Sequence, residues 1–424
     1  MDIFREYDIR GIYPKEIDEK KAKKIGLAVA VVAKREKIFL SYDNRVGSLK
    51  IKDSFINGLL DGGVVVYNSG LYPITVSAFA SFIEKSYGVC VTASHNPAEY
   101  TGILMFKDGT GMSVTPDKIK SKMSEKPAKT RGHVVDYDYS SRYIDYISKG
   151  VGKLNLKIGI DSMGGSTTYI AKRLFESLGA KTYNLHQEMS SDFYGKTPEP
   201  SAKNAKNLQR FVKSKNLDIG IQLDADGDRV LFVDEKGEAV DPMTSAMIFI
   251  KNLHFRSVAA TVGCSMLLEN YAKVKYIKVG RPHVESALRN KKYDFGVETS
   301  SHFYFNKYYP FSDGLLAAIL MAGIIKKSNK KFSQLASEFP KSYHGETAVK
   351  IKTNRQADMK IKNIKRKMIQ YGKGIYIDGV KTQIKDGFIL FRKSNTEPLI
   401  RGNYESKTES TAKYLKKIME EVIR

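Results

Sequence analysis

The sequence predicts an α/β protein made of three related α/β domains followed by a smaller α+β domain. A helix, a glycine turn and a strand of β-branched residues follow one another at residues 55–67, and the same order returns at residues 168–185. Residues 346–424 differ, because short strand segments flanked by two helices favour mostly local pairing. A repeat followed by a change of pattern indicates tandem domains of one type and a tail of another.

Size and composition fit a globular protein of several domains. The chain has 424 residues, 42% of them hydrophobic, which is enough to bury large cores. Its two cysteines, Cys90 and Cys264, lie in apolar runs and are too few for a disulfide framework, which favours a cytoplasmic location. Residues 1–6 carry charge where the apolar part of a secretion signal would lie, and the apolar run at 315–325 is too short to span a bilayer.

The formal net charge of +24 first suggests a nucleic-acid partner. The lysines are spread along the whole chain, however, and do not form one basic arm. Abundant surface lysine also fits a protein from a hot habitat. We therefore expect no specific nucleic-acid partner, while a basic surface would attract small phosphorylated anions.

The first domain is predicted at residues 1–133. Residues 4–11 mix aromatic and charged residues and are predicted to form a loop, in which Arg10 either clamps a phosphate or carboxylate or is a surface arginine. Downstream, the spacing of apolar residues predicts helices at 19–34, 52–60 and 77–85, and strands at 38–42, 64–67 and 87–91.

A candidate catalytic serine follows the last of these strands. The apolar run ends at small polar residues, and Pro97 stiffens the exit from the loop. Ser94 lies at the tip, beside His95 and Asn96. A serine on a rigid loop can carry a group in covalent catalysis, although a turn or helix-cap serine would show the same local pattern.

The second domain, residues 134–235, contains an acidic loop. Strands are predicted at 154–161 and 181–185, with helices at 168–178 and 202–213. A buried strand at 217–223 then enters the sequence Asp-Ala-Asp-Gly-Asp-Arg, and another strand follows at 230–233.

Asp224, Asp226 and Asp228 alternate along this loop and would repel one another unless a cation joined them. Oxygen ligands of this kind suit Mg²⁺. A calcium-binding loop is excluded, because Arg229 stands where that loop needs glycine and because strands flank it. A metal-free acidic turn remains the alternative.

The third and fourth domains are predicted at residues 236–345 and 346–424. In the third, Glu298 and Ser300 could bind sugar hydroxyls and His302 could move a proton, or the segment is a solvated loop. In the fourth, strands are predicted at 348–352, 375–377, 387–391 and 399–401, with helices at 357–371 and 410–423. The loop that follows 387–391 is either a phosphate cradle or a polar turn, and its candidate ligands are Arg392, Ser394, Asn395 and Thr396.

Together these four motifs resemble those of the α-D-phosphohexomutase superfamily, the phosphomannomutase/phosphoglucomutase group in particular, over essentially the whole chain. The resemblance implies three related α/β domains and a fourth of different fold around a central cleft. It implies that Ser94 is phosphorylated and binds Mg²⁺ together with Asp224, Asp226 and Asp228. The implied reaction interconverts hexose 1-phosphate and hexose 6-phosphate of mannose or glucose through a hexose 1,6-bisphosphate, which is also the activator.

The resemblance also implies roles for the remaining candidates. Arg10 and His302 match groups near the reacting oxygen, and Glu298 and Ser300 match the sugar-recognition loop. Arg229 and the loop residues Arg392, Ser394, Asn395 and Thr396 match substrate-binding groups. The expected partners are small sugar phosphates, with no membrane and no specific nucleic acid, and a homo-oligomer is compatible with this.

Three departures from the family pattern keep alternatives open. Leu104 stands where the family has a lysine for acid/base work, Thr101 replaces an asparagine, and Ser301 replaces a glycine of the sugar loop. Either Arg10 and His302 suffice, or another lysine reaches the site, or activity is altered. Phosphoglucosamine mutase, or a sugar-phosphate-binding homologue that has lost turnover, are the alternative functions.

Overall fold

The computed structural model of the chain describes residues 2–111, 114–290, 292–393 and 399–424. Four sheets follow one another along the chain, the first three mixed and the fourth antiparallel. Helices accompany each sheet. The predicted fold class, three related α/β domains and a C-terminal α+β domain, is confirmed.

The first sheet has the strand order β1-β5-β4-β2-β3-β6. The predicted loop at residues 4–11 was wrong in part, because β1 pairs antiparallel with β5, about ninety residues away along the chain. The elements are β1 (Ile9–Ile12), α1 (Glu19–Val32), β2 (Ile38–Tyr42), α2 (Ser48–Asp61), β3 (Val66–Leu71), α3 (Ile74–Ile83), β4 (Tyr87–Val91), β5 (Tyr100–Lys107), α4 (Pro116–Lys120), β6 (Val134–Asp136) and α5 (Ser140–Ser148).

Two glycines let α1 and α2 pack closely against the same side of this sheet. A Cβ atom on Gly26 would lie 2.1 Å from the Phe55 carbonyl oxygen, and one on Gly58 would lie 2.0 Å from the Lys23 carbonyl oxygen. Any side chain at either position would force the helices apart. The pair therefore fixes the distance between the helices that cover the first domain.

The second and third sheets have the orders β11-β10-β9-β7-β8 and β13-β12-β14-β15-β16. The second domain contains β7 (Lys157–Asp161), α6 (Thr168–Ser177), β8 (Lys181–Asn184), a 3₁₀ turn (Phe193–Gly195), α7 (Lys206–Lys215), β9 (Ile219–Leu223), β10 (Val230–Asp234) and β11 (Ala239–Val240). The third contains α8 (Pro242–Asn252), β12 (Ser257–Thr261), a 3₁₀ turn (Met266–Asn270), β13 (Lys273–Ile277), α9 (Arg281–Arg289), β14 (Phe295–Val297), β15 (Phe303–Phe305), β16 (Tyr309–Ser312), α10 (Gly314–Ser328) and α11 (Phe332–Ser337).

The same pairing pattern recurs in the first three sheets. In each, neighbouring strands run parallel, four in the first sheet and three in the other two. The last parallel strand leads into an antiparallel strand, which pairs with a further antiparallel strand. The three hairpin connections are β4–β5, β9–β10 and β14–β15. They contain the serine, aspartate and sugar-loop motifs, so three of the four motifs occupy one equivalent position in three sheets.

The fourth sheet, with the order β17-β21-β20-β19-β18, is antiparallel throughout. Sequence reasoning missed the strand β19, which lies between the central strand β20 and the edge strand β18. The elements are β17 (Tyr343–Lys350), α12 (Asn354–Met368), a 3₁₀ turn (Ile369–Tyr371), β18 (Gly374–Ile375), β19 (Val380–Ile384), β20 (Gly387–Lys393), β21 (Leu399–Ser406) and α13 (Glu409–Ile423).

The buried apolar clusters are distributed unevenly among the domains. One continuous cluster of buried residues runs through the first three domains, from Phe39 to Phe339. The fourth domain has its own cluster between its sheet and its two helices. The third and fourth domains meet at a small cluster, Val262 with Phe388 and Leu390, and Ile375 of the fourth domain packs against the large cluster. The fourth domain therefore attaches through a much smaller apolar surface.

The domain boundaries remain a proposal. The strand β6 pairs in the first sheet, β11 pairs in the second, and β17 starts the fourth. We therefore propose domains at residues 1–136, 137–240, 241–342 and 343–424, each a few residues from the boundaries suggested by the sequence.

Candidate active site

The serine loop follows β4, a strand whose five residues are all buried. Ser94 has a φ of +49°, and its amide donates to Thr92 Oγ1 at 2.9 Å. Its hydroxyl donates to Asp224 Oδ2 at 3.0 Å, across the boundary between the first and second domains. The loop thus presents the Ser94 hydroxyl directly to the aspartate loop.

A buried arginine that sequence reasoning did not select holds the serine loop in shape. Arg45 donates to the carbonyl oxygens of Ser94, Asn96 (2.9 Å), Pro97 (2.6 Å) and Tyr100 (3.2 Å). Parallel pairing could have revealed it, because β2 and β4 end side by side, so residues following each strand meet at one sheet edge.

The Arg45 side chain is fully buried together with that of Asp43, whose Oδ2 accepts from Arg45 Nε at 2.9 Å. The guanidinium also lies 4.7 Å from the centre of the Phe193 ring in the second domain. The serine loop is therefore supported by an ion pair and an aromatic face.

The aspartate loop joins β9 to β10 and brings three carboxylates together. One oxygen each of Asp224, Asp226 and Asp228 lies within 4.8 Å of the others, and all three residues are buried. Gly227 makes the turn with a φ of +79°, and a Cβ there would lie 2.5 Å from Thr167 Cγ2. The sharp turn directs alternate side chains toward the same point.

The carboxyl groups affect one another strongly. Burial, with the charges of Asp226 and Asp228, raises the pKa of Asp224 well above its usual range. Burial and the Asp228 charge raise the pKa of Asp226 to about 6. Burial alone would raise the pKa of Asp228, but His302 and Arg229 lower it overall. A cluster in which burial opposes ionisation favours a bound cation.

The donor set fits a hard divalent cation such as Mg²⁺. Asp226 Oδ1 and Asp228 Oδ1 are buried and accept no hydrogen bond, although Asp228 Oδ1 lies 3.4 Å from His302 Nε2. Buried carboxylate oxygens without donors are costly unless a cation binds them. Asp224, Asp226 and Asp228, with the neighbouring Ser94 oxygen, provide the oxygen-only ligands that this ion prefers.

The sugar loop contacts the aspartate loop through His302. His302 Nε2 accepts from Arg229 Nε at 3.2 Å, and Nδ1 lies 2.8 Å from Ser300 Oγ. Glu298 is held by the Tyr304 hydroxyl at 2.6 Å and by the Gly280 amide at 3.3 Å. Ser301 has a φ of +65°, the conformation that the usual glycine would adopt most readily.

Arg10 reaches the serine loop from β1. It donates to Asn96 Oδ1 and, at 2.7 Å, to Asp8 Oδ2, while its Nε is buried and makes no hydrogen bond. His95 lies nearby, and the charge of Arg229, burial and the charge of Arg10 lower its pKa to about 2. His95 is therefore neutral, and the positive charge here belongs to the arginines.

The fourth domain contributes Arg392 at the end of β20. Burial lowers the pKa of Arg392, and the charges of Asp378 and Glu298 oppose this, which places its guanidinium within electrostatic reach of the sugar loop. The predicted ligands Ser394, Asn395 and Thr396 lie outside the described residues.

The positions that depart from the family pattern contribute no charge at the site. Leu104 is 4% exposed and packs in the apolar core. Thr101 is buried, with its Oγ1 3.4 Å from Ser48 Oγ. Lys107 pairs with Glu36 at 3.3 Å, on a different face of β5 from Leu104. Lys107 therefore does not replace the missing lysine.

A cavity of about 850 Å³ lies beside the sugar loop, between the second, third and fourth domains. It is lined by Thr299 and Ser300, and Ser94 and the three aspartates do not line it. Four acidic side chains border it: Glu199, Asp241, Glu346 and Glu405.

Comparison with known protein families covers almost the whole chain. Models described as phosphoglucomutase/phosphomannomutase match four consecutive stretches: alpha/beta/alpha domain I at residues 1–129, domain II at 141–237, domain III at 242–343 and the C-terminal domain at 346–422.

Individual proteins give the same result. A phosphoglucomutase/phosphomannomutase of Thermococcus kodakarensis is 31% identical over 457 aligned positions, covering 100% of this chain and 99% of that protein. A probable phosphoglucosamine mutase of Methanocella arvoryzae is 29% identical, covering 100% and 98%. A solved phosphoglucomutase/phosphomannomutase family protein of Burkholderia thailandensis shares the fold, with a TM-score of 0.91 at 23% identity, over 100% of this chain and 97% of that one.

In the part of the chain that the structure describes, no helix combines the length and apolar character needed to cross a bilayer.

Proposed function

Because this chain belongs to the phosphoglucomutase/phosphomannomutase family, we propose that it is a phosphohexomutase that interconverts the 1- and 6-phosphates of mannose or glucose. The observation that carries the proposal is the 3.0 Å hydrogen bond from the Ser94 hydroxyl to Asp224, within a buried cluster of three aspartates. A nucleophile beside a cation site is what repeated phosphoryl transfer requires.

Ser94 is the residue that carries the phosphoryl group between turnovers. In one half-reaction, a free sugar hydroxyl attacks the phosphorus, the bond from phosphorus to Ser94 Oγ breaks, and a hexose 1,6-bisphosphate forms. This intermediate then reorients in the cleft. Ser94 Oγ attacks its other phosphorus, and the remaining hexose monophosphate leaves. The bisphosphate is thus both intermediate and activator.

Asp224, Asp226 and Asp228, with an oxygen on Ser94, would hold Mg²⁺. When bound, the ion supplies positive charge that stabilises the transferring phosphoryl group. The aspartate loop holds the three carboxylates close together, and the hydrogen bonds from Arg45 to the serine loop keep Ser94 beside them. Rigid positioning of this kind accounts for much of the rate gained in phosphoryl transfer.

His302 takes the proton from the attacking hydroxyl. Ser300 holds Nδ1 at 2.8 Å, so the ring presents Nε2 toward Arg229 and Asp228. Arg10 lies near the reacting oxygen and contributes positive charge there. An imidazole ring held in a fixed orientation is suited to accept and return one proton per half-reaction.

The remaining candidates bind the substrate. Glu298 and Ser300 contact the sugar hydroxyls, and Arg229 contributes charge between the aspartate and sugar loops. Arg392 holds the phosphate that does not react, together with Ser394, Asn395 and Thr396. The partners are small sugar phosphates, and the free buried thiols of Cys90 and Cys264 fit a cytoplasmic enzyme.

The second candidate function is phosphoglucosamine mutase. The cavity beside Thr299 and Ser300 is bordered by four acidic side chains, which would favour an ammonium group on the sugar over a hydroxyl. The test is a comparison of kcat/KM for glucosamine, glucose and mannose 1-phosphates. A clear preference for glucosamine 1-phosphate would replace the leading proposal.

A coupled assay tests the proposed function. Purified protein is supplied with Mg²⁺ and a trace of glucose 1,6-bisphosphate, and the three hexose 1-phosphates are offered in parallel. We expect turnover that falls by at least about 10³-fold in Ser94→Ala. The matched control is Ser148→Ala, which removes a hydroxyl that makes no hydrogen bond.

Metal dependence is measured in the same assay, by chelation and then addition of Mg²⁺. Turnover that Ser94→Ala retains would reject the serine as phosphoryl carrier. Binding of sugar phosphate without turnover would instead identify a homologue that has lost its activity.

A further inference from the structure

Arg281, the first residue of α9, is a buried arginine that the roles assigned so far do not use. Its side chain is 10% exposed, and its guanidinium lies 4.6 Å from the centre of the Phe311 ring. Nε lies 3.5 Å from Glu285 Oε1, one turn along the same helix. Nη1 is buried and makes no hydrogen bond.

Glu285 does not fully neutralise this arginine. The contact is single and long, whereas a strong arginine–carboxylate pair is bidentate and near 2.8 Å. The other Glu285 oxygen accepts from the Gly111 amide at 2.6 Å. Burial raises the pKa of Glu285 to about 7, so the carboxyl group is only partly ionised at neutral pH.

The charge of Arg281 reaches the aspartate cluster. Burial alone would lower the pKa of Arg281, but the carboxylates of Glu285 and Asp228 raise it overall. The Phe311 ring under Arg281 contacts Phe106 at 5.4 Å, and Phe106 shares the face of β5 with Leu104. Arg281 therefore adjoins the face of β5 that carries Leu104, and its charge acts on Asp228.

We infer that Arg281 is a further phosphate-binding residue of the catalytic centre, an inference that rests on the proposed function. Its Nη1–H donates to a non-bridging oxygen of the phosphoryl group that moves between Ser94 and the sugar. The Phe311 ring and Glu285 fix the plane of the guanidinium, so no reorganisation is needed when the phosphoryl group arrives.

This role explains how the site tolerates Leu104. Charge spreads over the three equatorial oxygens of the phosphoryl group as it transfers, and a fixed guanidinium stabilises that charge. Arg281 adds the positive charge, while the proton is handled by His302. Positive charge and proton transfer are thus divided between two residues.

Arg289 provides a matched control on the same helix. Its Nη2 donates to Asp108 Oδ2 at 2.7 Å, so it also joins α9 to the first domain, but at the surface. Arg281→Gln, Arg281→Lys, Glu285→Gln and Arg289→Gln are compared for kcat and KM, with thermal midpoints measured for each.

We expect Arg281→Gln to lower kcat by about 100-fold and Arg281→Lys by about 10-fold, because lysine keeps the charge but loses the fork. Arg289→Gln should stay within about 3-fold of wild type, as expected for a surface ion pair. Glu285→Gln should keep most activity, because it retains the cation.

Two results would overturn the inference: kcat of Arg281→Gln within 3-fold of Arg289→Gln, or equal losses of activity and thermal midpoint in Arg281→Gln and Glu285→Gln. If Arg281→Gln does not fold, Arg281→Lys is compared with Arg289→Lys.

If wild type shows no turnover, the proposed function fails separately, and calorimetric binding of glucose 1,6-bisphosphate decides the role of Arg281. Binding at least 10-fold weaker in Arg281→Gln than in Arg289→Gln supports it, and equal binding rejects it.

Discussion

Arg45 in the first domain and Lys381 in the fourth are both buried cations that donate to main-chain carbonyl oxygens, but their surroundings differ. Arg45 has Asp43 beside it at 2.9 Å and donates to four carbonyl oxygens of its own domain. It thus fixes the loop that presents Ser94.

Lys381 reaches across a domain boundary instead. Its Nζ donates to the carbonyl oxygens of Val262 at 2.9 Å and Cys264 at 3.4 Å, both in the third domain. The rings of Tyr276 and Phe388 lie 3.8 and 3.9 Å from it, and it forms no ion pair with any described carboxylate. Burial lowers its pKa to about 8.

The difference shows how rigidity is distributed. The paired arginine, held by Asp43, donates to four carbonyl oxygens and so fixes the serine loop within the first domain. The lysine joins the fourth domain to the third beside a small apolar cluster, and it can lose its charge near pH 8. The proposed phosphoryl carrier, Ser94, lies on the loop that the arginine holds, and the proposed phosphate-binding residue, Arg392, lies on the domain that the lysine joins.

The largest effect is expected from Arg45→Met. The change leaves the Asp43 carboxylate buried without its cation and removes the donor from four carbonyl oxygens, which costs roughly 3–5 kcal/mol of stability. Displacement of Ser94 should lower kcat by at least about 100-fold. Thermal unfolding and the coupled assay measure the two effects.

Arg131→Met serves as control, because Arg131 is exposed and pairs with Asp61 at 3.5 Å in the same domain. Arg45→Lys keeps the positive charge but loses the geometry of the guanidinium. We expect it to be more stable than Arg45→Met, with a kcat that is still well below that of wild type. Activity of Arg45→Met near that of wild type would show that the hydrogen bonds from Arg45 do not position Ser94.

The pH dependence of stability should reveal Lys381. Its folded pKa, about 8, lies below the value of 10.5 expected when exposed. Between these values the unfolded chain binds more protons, so stability rises with pH across the window. The difference between wild type and Lys381→Met should change by roughly 3 kcal/mol from pH 8 to 10.5. Scanning calorimetry at several pH values measures it, and a constant difference would contradict the lowered pKa.

A smaller effect is expected on substrate binding in Lys381→Met. Loss of two hydrogen bonds across the boundary should loosen the fourth domain and raise KM for the hexose phosphate about 5- to 10-fold, which corresponds to about 1 kcal/mol. kcat should change little. Lys385→Met is the control, because the Lys385 ammonium group lies over the Tyr414 ring of its own domain, at 4.5 Å. A fall in kcat with unchanged KM would oppose this assignment.

Sequence patterns predicted the features that depend on local structure, namely the repeated domains and the loops that contain the motifs. The repeated helix–glycine–strand order gave the three related domains, and a strand leading into each motif placed Ser94 and Asp224 at hairpin connections. The strand β1 was missed within the predicted loop at residues 4–11, because a four-residue edge strand has too short a pattern to recognise and depends on a distant partner.

Residues whose roles depend on packing across domains could not be predicted. The strand β19 was missed because Val-Lys-Thr-Gln-Ile contains only two apolar residues, and its Lys381 is buried against the third domain, which the sequence does not show. Arg45 and Arg281 are ordinary basic residues in the sequence. Only the fold shows that one holds four carbonyl oxygens and the other has a buried nitrogen without a partner.

The smallest effect is expected from Glu405→Gln, beside Lys381 at the same boundary. Glu405 accepts from the Ser265 hydroxyl and, at 3.3 Å, from the Met266 amide. A glutamine can keep its oxygen toward the Met266 amide and donate its NH₂ to the Ser265 hydroxyl, because a hydroxyl also accepts. Both hydrogen bonds survive, so we expect KM within about 2-fold of wild type and less than about 1 kcal/mol lost. Glu405→Ala removes both and should approach the KM of Lys381→Met. Glu405→Gln as impaired as Glu405→Ala would mean that the carboxylate charge, rather than hydrogen bonding, holds the fourth domain.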